Sequence, residues 1–191
     1  VRGRAAHAGN QPELGVNAIW DLAQKVCAVQ GLADVFPGTT VNVGTIRGGE
    51  RSNVIPDHAV AEIGVRADTP DGAEALTRAL ERIARTAHVP GALAALEGEW
   101  GFPPWPEQAA TAPLLAMLRA AAAPLDVPID TVRAGGASDG NRTWRHAPTI
   151  DGLGPAGDRF HSADEFIWTR SLLERAAILA AFIERWADAQ D

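Results

Sequence analysis

The chain is 191 residues long, 46% hydrophobic and 21% charged, an ordinary globular composition that allows one large domain or two small ones. A net charge of −7, a pI near 5.2 and a single lysine, Lys25, disfavour nonspecific nucleic-acid binding, which rests on neutralising phosphates. No apolar run approaches the ~20 residues of a membrane-spanning helix, no signal-peptide core opens the chain, and one cysteine, Cys27, excludes an intrachain disulfide framework.

Residues 1–7 read as a short strand that runs into the turn-rich His7-Ala-Gly-Asn-Gln-Pro. The only methionine is Met117, so the start is expected to be a cut edge. Asn17 to Gln30 reads as a helix, because Ile19, Leu22, Ala23, Val26 and Cys27 recur at three- and four-residue steps. That spacing puts Cys27 on the apolar stripe as a small core residue. Pro37-Gly38 ends the unit, Thr40 to Ile46 reads as a strand, and Arg47-Gly-Gly-Glu-Arg51 as a hairpin-like connection. In His58 to Asp68, Ala59, Ala61, Ile63, Val65 and Ala67 alternate with mostly polar residues, giving one covered face and one open face. Asp68-Thr-Pro-Asp71 is a turn and cap for a helix over 72–88, and Leu93 to Trp100 reads as a last strand.

Strand, helix, strand, strand, helix, strand is the ferredoxin-like split βαβ order, a small sheet with both helices on one face. Phe102-Pro-Pro-Trp-Pro106 is a stiff exit, which divides the chain into 1–104 and 105–191. In the second part, helices are expected over 112–123 and 169–188 and short strands over 129–133 and 149–153. The last helix carries Leu172, Leu173, Ala176, Leu179, Ala180, Ile183 and Trp186 as its expected buried stripe. So few strands leave a sheet edge open, so this part reads as the completion of an α/β sheet begun elsewhere.

His161 follows the glycine-punctuated Gly154-Pro-x-Gly157 loop, with Ser162, Asp164 and Glu165 after it. It is either a metal ligand or a loop histidine whose acidic neighbours cap the last helix. His7 is either a surface residue or an imidazole presented to a ligand, able to polarise a carbonyl. Arg66, on the open face, pairs with Glu62 or Asp68, or offers a guanidinium fork to a carboxylate. Asn53 is a turn residue or a donor to that same ligand. Asp139, in Gly135-Gly-Ala-Ser-Asp139-Gly, reads as a cap for the short helix after it.

In order along the chain, Gly3-Arg-Ala-Ala-His7-Ala-Gly9 with Gly15-Val-Asn-Ala-Ile19, Val41-Asn-Val-Gly44, Gly48-Gly49 and Asn53-Val-Ile-Pro56 with Val65-Arg-Ala-Asp68 resemble the lid domain of zinc-dependent aminoacylases and glutamate carboxypeptidases. Gly135-Gly-Ala-Ser-Asp139-Gly and Gly154-Pro-x-Gly-x-x-x-His161-Ser-x-x-Glu165 look like that family's closing motifs, and the resemblance is nearest to the carboxypeptidase G-like branch.

The resemblance implies a lid that pairs edge to edge into a homodimer, followed by the tail of a catalytic domain. It implies that His161 is the last metal ligand of a two-zinc site, and that His7 reaches into the partner's active site to assist the scissile carbonyl. Asn53 and Arg66 would hold the carboxylate of a small-molecule substrate, and Gly136 would line its pocket. The family's H-x-D motif, bridging Asp, Glu-Glu pair and further acidic ligand precede the lid, and none occurs here. The expectation is therefore the carboxyl-terminal half of a dinuclear-zinc hydrolase that cleaves an amide bond beside a free carboxylate. This half alone is expected to be inactive and to hold zinc poorly. The alternative is a noncatalytic dimerisation or ligand-binding module.

Overall fold

The computed structural model describes residues 1–189, and the chain falls into two compact units, Val1–Pro106 and Glu107–Asp191.

In the first unit, β1 (Ala6–His7) leads to α1 (Ala18–Gln30), whose N-cap Asn17 accepts the Trp20 N–H at 2.9 Å. A short α2 (Leu32–Val35) turns the chain into β2 (Thr39–Gly48). After β3 (Val54–Ile55), β4 (Ala59–Ala67) pairs antiparallel with β2. The expected alternation on β4 holds: Ala59 is buried, Ala61, Ile63, Val65 and Ala67 are partly covered, and Val60, Glu62, Gly64 and Arg66 are exposed. α3 (Pro70–Arg85) starts at Thr69, whose Oγ1 accepts the Gly72 N–H at 3.1 Å, with Pro70 in the first turn.

Both helices cover the same face of the β2–β4 pair. Val29 and Leu32 meet Val41, Leu76, Ala79 and Leu80 in the main core, while Ala18 and Leu22 meet Ala59 in a second cluster. Cys27 departs from the expected core position: it is exposed, because the buried stripe of α1 runs through Ala18, Asp21, Leu22, Lys25 and Val29.

The expected strand over 93–100 does not form. Val1 and Arg2 lie beside His58 and Ala59, and Leu93 bridges Arg2, so the order at that end is Leu93, Arg2, β4, β2, the split βαβ order. Beyond Arg2 the amino-terminal strand leaves the sheet: Arg4 bridges Val16, and β1 pairs with β3. Residues after Leu93 therefore have no neighbour to ladder with among the described residues. They are tied down instead by Trp100, whose Nε1–H donates to Thr77 Oγ1 at 3.0 Å.

In the second unit, α4 (Ala112–Ala122) packs on α6 (Thr169–Asp188) around Leu118, Ala121, Ala122 and Ile178. Between them lie α5 (Gly140–Thr143), β5 (Gly157–Asp158) and β6 (Phe166–Ile167), the last two paired antiparallel. The expected strands over 129–133 and 149–153 are absent. Ile129, Ile150 and Leu153 pack their side chains on the α4–α6 core, but no strand among the described residues pairs with their backbones. The expected stripe of α6 is also the wrong side. Ile178 faces the core at 2% exposure, whereas Leu172, Leu173, Leu179, Ile183 and Trp186 stand in solvent.

Candidate functional site

His7 ends β1 opposite Val54, and the next residue ties the two segments together: Ala8 N–H donates to the Asn53 carbonyl at 3.0 Å. The turn after His7 folds back on its own ring. Nδ1 accepts the backbone N–H groups of both Gly9 and Asn10, each at 3.1 Å. A nitrogen that accepts two hydrogen bonds carries no proton, so the neutral ring is the Nε2–H tautomer and offers that N–H outward. His7 is exposed, as is Asn53, whose amide makes no hydrogen bond among the described residues. Beside them opens a shallow concavity of about 260 Å³, lined by Ala8, Asn17, Ile19, Arg51, Ser52 and Val54 among others. His7 and Asn53 thus share one patch.

Arg66 lies elsewhere, opposite Thr40 near the start of β2, about seven strand steps (roughly 23 Å) along β4 from Ala59. It is exposed and has no ion pair among the described residues. The expected pairing with Glu62 is not made, because Glu62 leans toward Arg47 at 3.9 Å on the neighbouring strand.

In the second unit, Gly136 is in an exposed loop where a Cβ would meet nothing within 4 Å. The loop is closed at its far end by Ser138 and Asn141: Ser138 N–H donates to Asn141 Oδ1 at 2.9 Å, and Ser138 Oγ accepts the Gly140 N–H at 3.1 Å. Asp139 occupies the cap position of α5, but its side chain makes no cap bond, so capping falls to Ser138.

His161 sits at the tip of the loop that β5 and β6 close. Two residues there, Arg159 and His161, hold left-handed backbones with φ of 61° and 63°. Ser162 Oγ donates to the Arg159 carbonyl at 2.7 Å, and Glu165 accepts the His161 N–H at 3.3 Å. The acidic residues therefore brace this loop and do not cap α6, whose N-cap is Trp168 with no side-chain bond. The base of the loop is fixed to α6 through Ser171, whose Oγ accepts the Ala156 N–H at 2.9 Å. A backbone forced into this shape presents an exposed imidazole with no hydrogen-bond partner among the described residues.

No group of three His, Cys, Asp or Glu comes together among the described residues. A catalytic zinc takes three protein ligands, so the described residues alone do not make up a zinc site.

Sequence reading passed over one constellation, the buried Asp21–Lys25 pair of α1. Lys25 Nζ lies 2.7 Å from Asp21 Oδ2, and Asp21 Oδ1 accepts the N–H groups of His88 and Val89 at 2.7 and 3.0 Å. The signal was present: the only lysine stands on the inner stripe of the helix, four residues after an aspartate.

The first 92 residues match the family described as peptidase dimerisation domain. Over 98% of its length the chain is 30% identical to the uncharacterized protein YqjE of Bacillus subtilis, spanning 50% of that relative. Over 41% of its length it is 38% identical to a probable carboxypeptidase of Paracoccidioides brasiliensis, covering 21% of it. Among solved structures, aminopeptidase PepT of Bacillus cereus superposes with a TM-score of 0.76 at 25% identity, covering 97% of this chain and 50% of that one. The Bacillus subtilis YXEP protein, a dinuclear metal binding peptidase from the M20 family, shares the fold with a TM-score of 0.61 at 21% identity, covering 94% and 47%. The chain thus spans about half the length of the relatives it matches end to end, and its first 92 residues are similar to the dimerisation domain of M20 peptidases.

Proposed function

We propose that this chain is the dimerisation lid and carboxyl-terminal part of a two-zinc amidohydrolase that cleaves an amide bond next to a free carboxylate. The observation that carries the reading is the His7 turn. Two backbone N–H groups spend themselves on Nδ1, so the ring is held as a fixed donor through Nε2–H. Such a donor suits an oxygen that gains negative charge as an amide carbonyl becomes tetrahedral, because its orientation is set before the reaction begins. Asn53 adds a free amide in the same patch. Arg66, with no carboxylate of its own to hold, is the fork for the substrate's; it lies too far along β4 to share the His7–Asn53 patch of its own chain, so in this reading His7 and Asn53 reach that substrate from the partner. Gly136 lines the pocket in this reading, its bare backbone leaving room for a ligand.

His161 supplies one imidazole to the metal pair, and its other ligands come from outside these residues. When bound, the metals supply an activated water and a clamp for the developing oxyanion. The lid assembles the working form as a homodimer, in which His7 serves the site of the partner.

The test uses the full-length protein that contains this chain, an N-acyl amino acid, and the same compound with its carboxylate capped as an amide. Hydrolysis of the free acid is expected. Arg66→Ala should raise its KM about 10- to 100-fold, the cost of a charge-assisted pair, and leave the capped compound unaffected. His7→Ala should lower kcat by roughly 10²–10³. Equal effects of Arg66→Ala on both compounds, or an unchanged kcat in His7→Ala, would overturn the assignment.

A further inference from the structure

The concavity beside His7 and Asn53 holds a cation with no task assigned to it so far. Arg51 lines it, two residues before Asn53 in a turn that Val54 N–H closes by donating to the Arg51 carbonyl at 3.3 Å. The same turn is tied to the His7 strand, since Ala8 N–H donates to the Asn53 carbonyl. The backbone of Arg51 is thus held while its side chain is exposed. Its guanidinium makes no ion pair among the described residues, although Glu50 precedes it and is exposed as well. Arg47, four residues earlier, does take a carboxylate, that of Glu62 at 3.9 Å. In a chain with 24 acidic side chains against 17 basic ones, carboxylates are not scarce, so a bare guanidinium beside a candidate site is available to a ligand.

The surroundings define that ligand group. Ile19, Val54 and Pro56 give the concavity an apolar wall, and Ser52 adds an exposed hydroxyl next to Arg51. No Asp or Glu is among the lining residues, so the local field favours an anion. About 260 Å³ falls just short of the roughly 300–1,000 Å³ of pockets that enclose a whole small ligand, so it accepts one substituent. A fork of N–H donors beside an apolar wall fits a carboxylate carried on a short carbon chain.

We propose that Arg51 binds a second carboxylate of the substrate, carried by its acyl group, so that the favoured acyl groups are anionic. The inference rests on the amidohydrolase reading above and adds the class of acyl group. In that reading Arg66 draws the amino-acid half of the substrate toward one protomer, while His7 and Asn53 meet the scissile carbonyl from the other. The substituent left to extend from the carbonyl along the surface around His7 is the acyl group, and Arg51 is the cation it meets there. Because Arg51 and Arg66 of one chain lie far apart, the two carboxylates are held by different protomers.

The experiment compares kcat/KM of the full-length protein that contains this chain on N-succinylalanine, N-acetylglutamate and N-acetylalanine. Wild type is expected to prefer N-succinylalanine to N-acetylalanine. Arg51→Ala and, independently, Arg51→Glu should each lower that preference about tenfold or more, the loss of a charge-assisted pair. The preference is a ratio within one preparation, so any loss of folded protein cancels. A wild type without it, a preference that both variants keep, or a loss that falls on N-acetylglutamate instead overturns the role of Arg51 and leaves the amidohydrolase reading standing. No turnover of any of the three by wild type overturns that reading and this inference with it.

Discussion

The Asp21 carboxylate has no contact with solvent, and Lys25 beside it is 5% exposed. Burial pushes the Asp21 pKa up, but the Lys25 ion pair and the N–H groups of Val89 and His88 outweigh it and hold the carboxyl below the usual carboxylate range. Lys25 also donates to the Thr86 carbonyl, so the pair stitches α1 to the segment that follows α3. Asp21→Ala would leave the ammonium buried without its partner, at a cost of about 3–5 kcal/mol. The folded pKa lies below the unfolded one, so the stabilisation is complete above roughly pH 4, the ordinary aspartate value, and fades as pH falls toward the folded value. Urea unfolding of wild type and Asp21→Ala at pH 7 and pH 3 checks this: the gap between them should be large at pH 7 and shrink at pH 3. An equal gap at both would mean that the charge on Asp21 is not what stabilises.

At the scale of elements, side-chain periodicity made the helices legible, and strands were legible only where a partner exists within the chain. The helices over 18–30, 70–85, 112–122 and 169–188 follow their three- and four-residue spacing, and β4 follows its alternation. The segments 129–133 and 149–153 read as short strands and place Ile129, Ile150 and Leu153 on the core, yet strand structure also requires a neighbouring backbone, and sequence pattern cannot supply one. The same lesson explains α6. Its Leu172–Leu179–Ile183–Trp186 stripe is apolar as read, but the covered side is the one through Ile178. A helix apolar on both sides is built for burial between two layers. The metal-ligand candidate was legible as a loop histidine, whereas its left-handed backbone was not, since histidine rarely announces one. Gly157 was legible as punctuation, and its reason is steric: a Cβ there would come 2.2 Å from the Phe166 carbonyl oxygen. Gly157→Ala should therefore break the β5–β6 pair and lower the stability of the second unit by about 1–3 kcal/mol. Exchange of the amides over 159–165 would rise with it, and an unchanged exchange pattern would show that the loop is held elsewhere.

At the scale of the whole molecule, the His161 loop is braced in detail while no ligand cluster forms around it among the described residues. A loop whose backbone is bent into two left-handed residues to present one imidazole is a costly feature if that imidazole has no use. The cost makes sense if the ligand set is shared with chain lying outside these residues, which agrees with a match to only about half the length of its relatives. Two consequences then separate this chain from a complete hydrolase. A lone histidine leaves most of a zinc coordination shell to water, so calorimetric titration of the 191-residue chain should show no binding with two zinc per chain. Added zinc should likewise produce no hydrolysis of N-acyl amino acids, because the Glu-Glu pair that the resemblance implies as general base does not occur in the 191 residues. In a longer protein that contains this chain together with the proposed further ligands, zinc binding and turnover should both appear, and His161→Ala there should lower zinc affinity while leaving the dimer intact. Stoichiometric two-zinc binding or turnover by the 191 residues alone would overturn the account of a shared site.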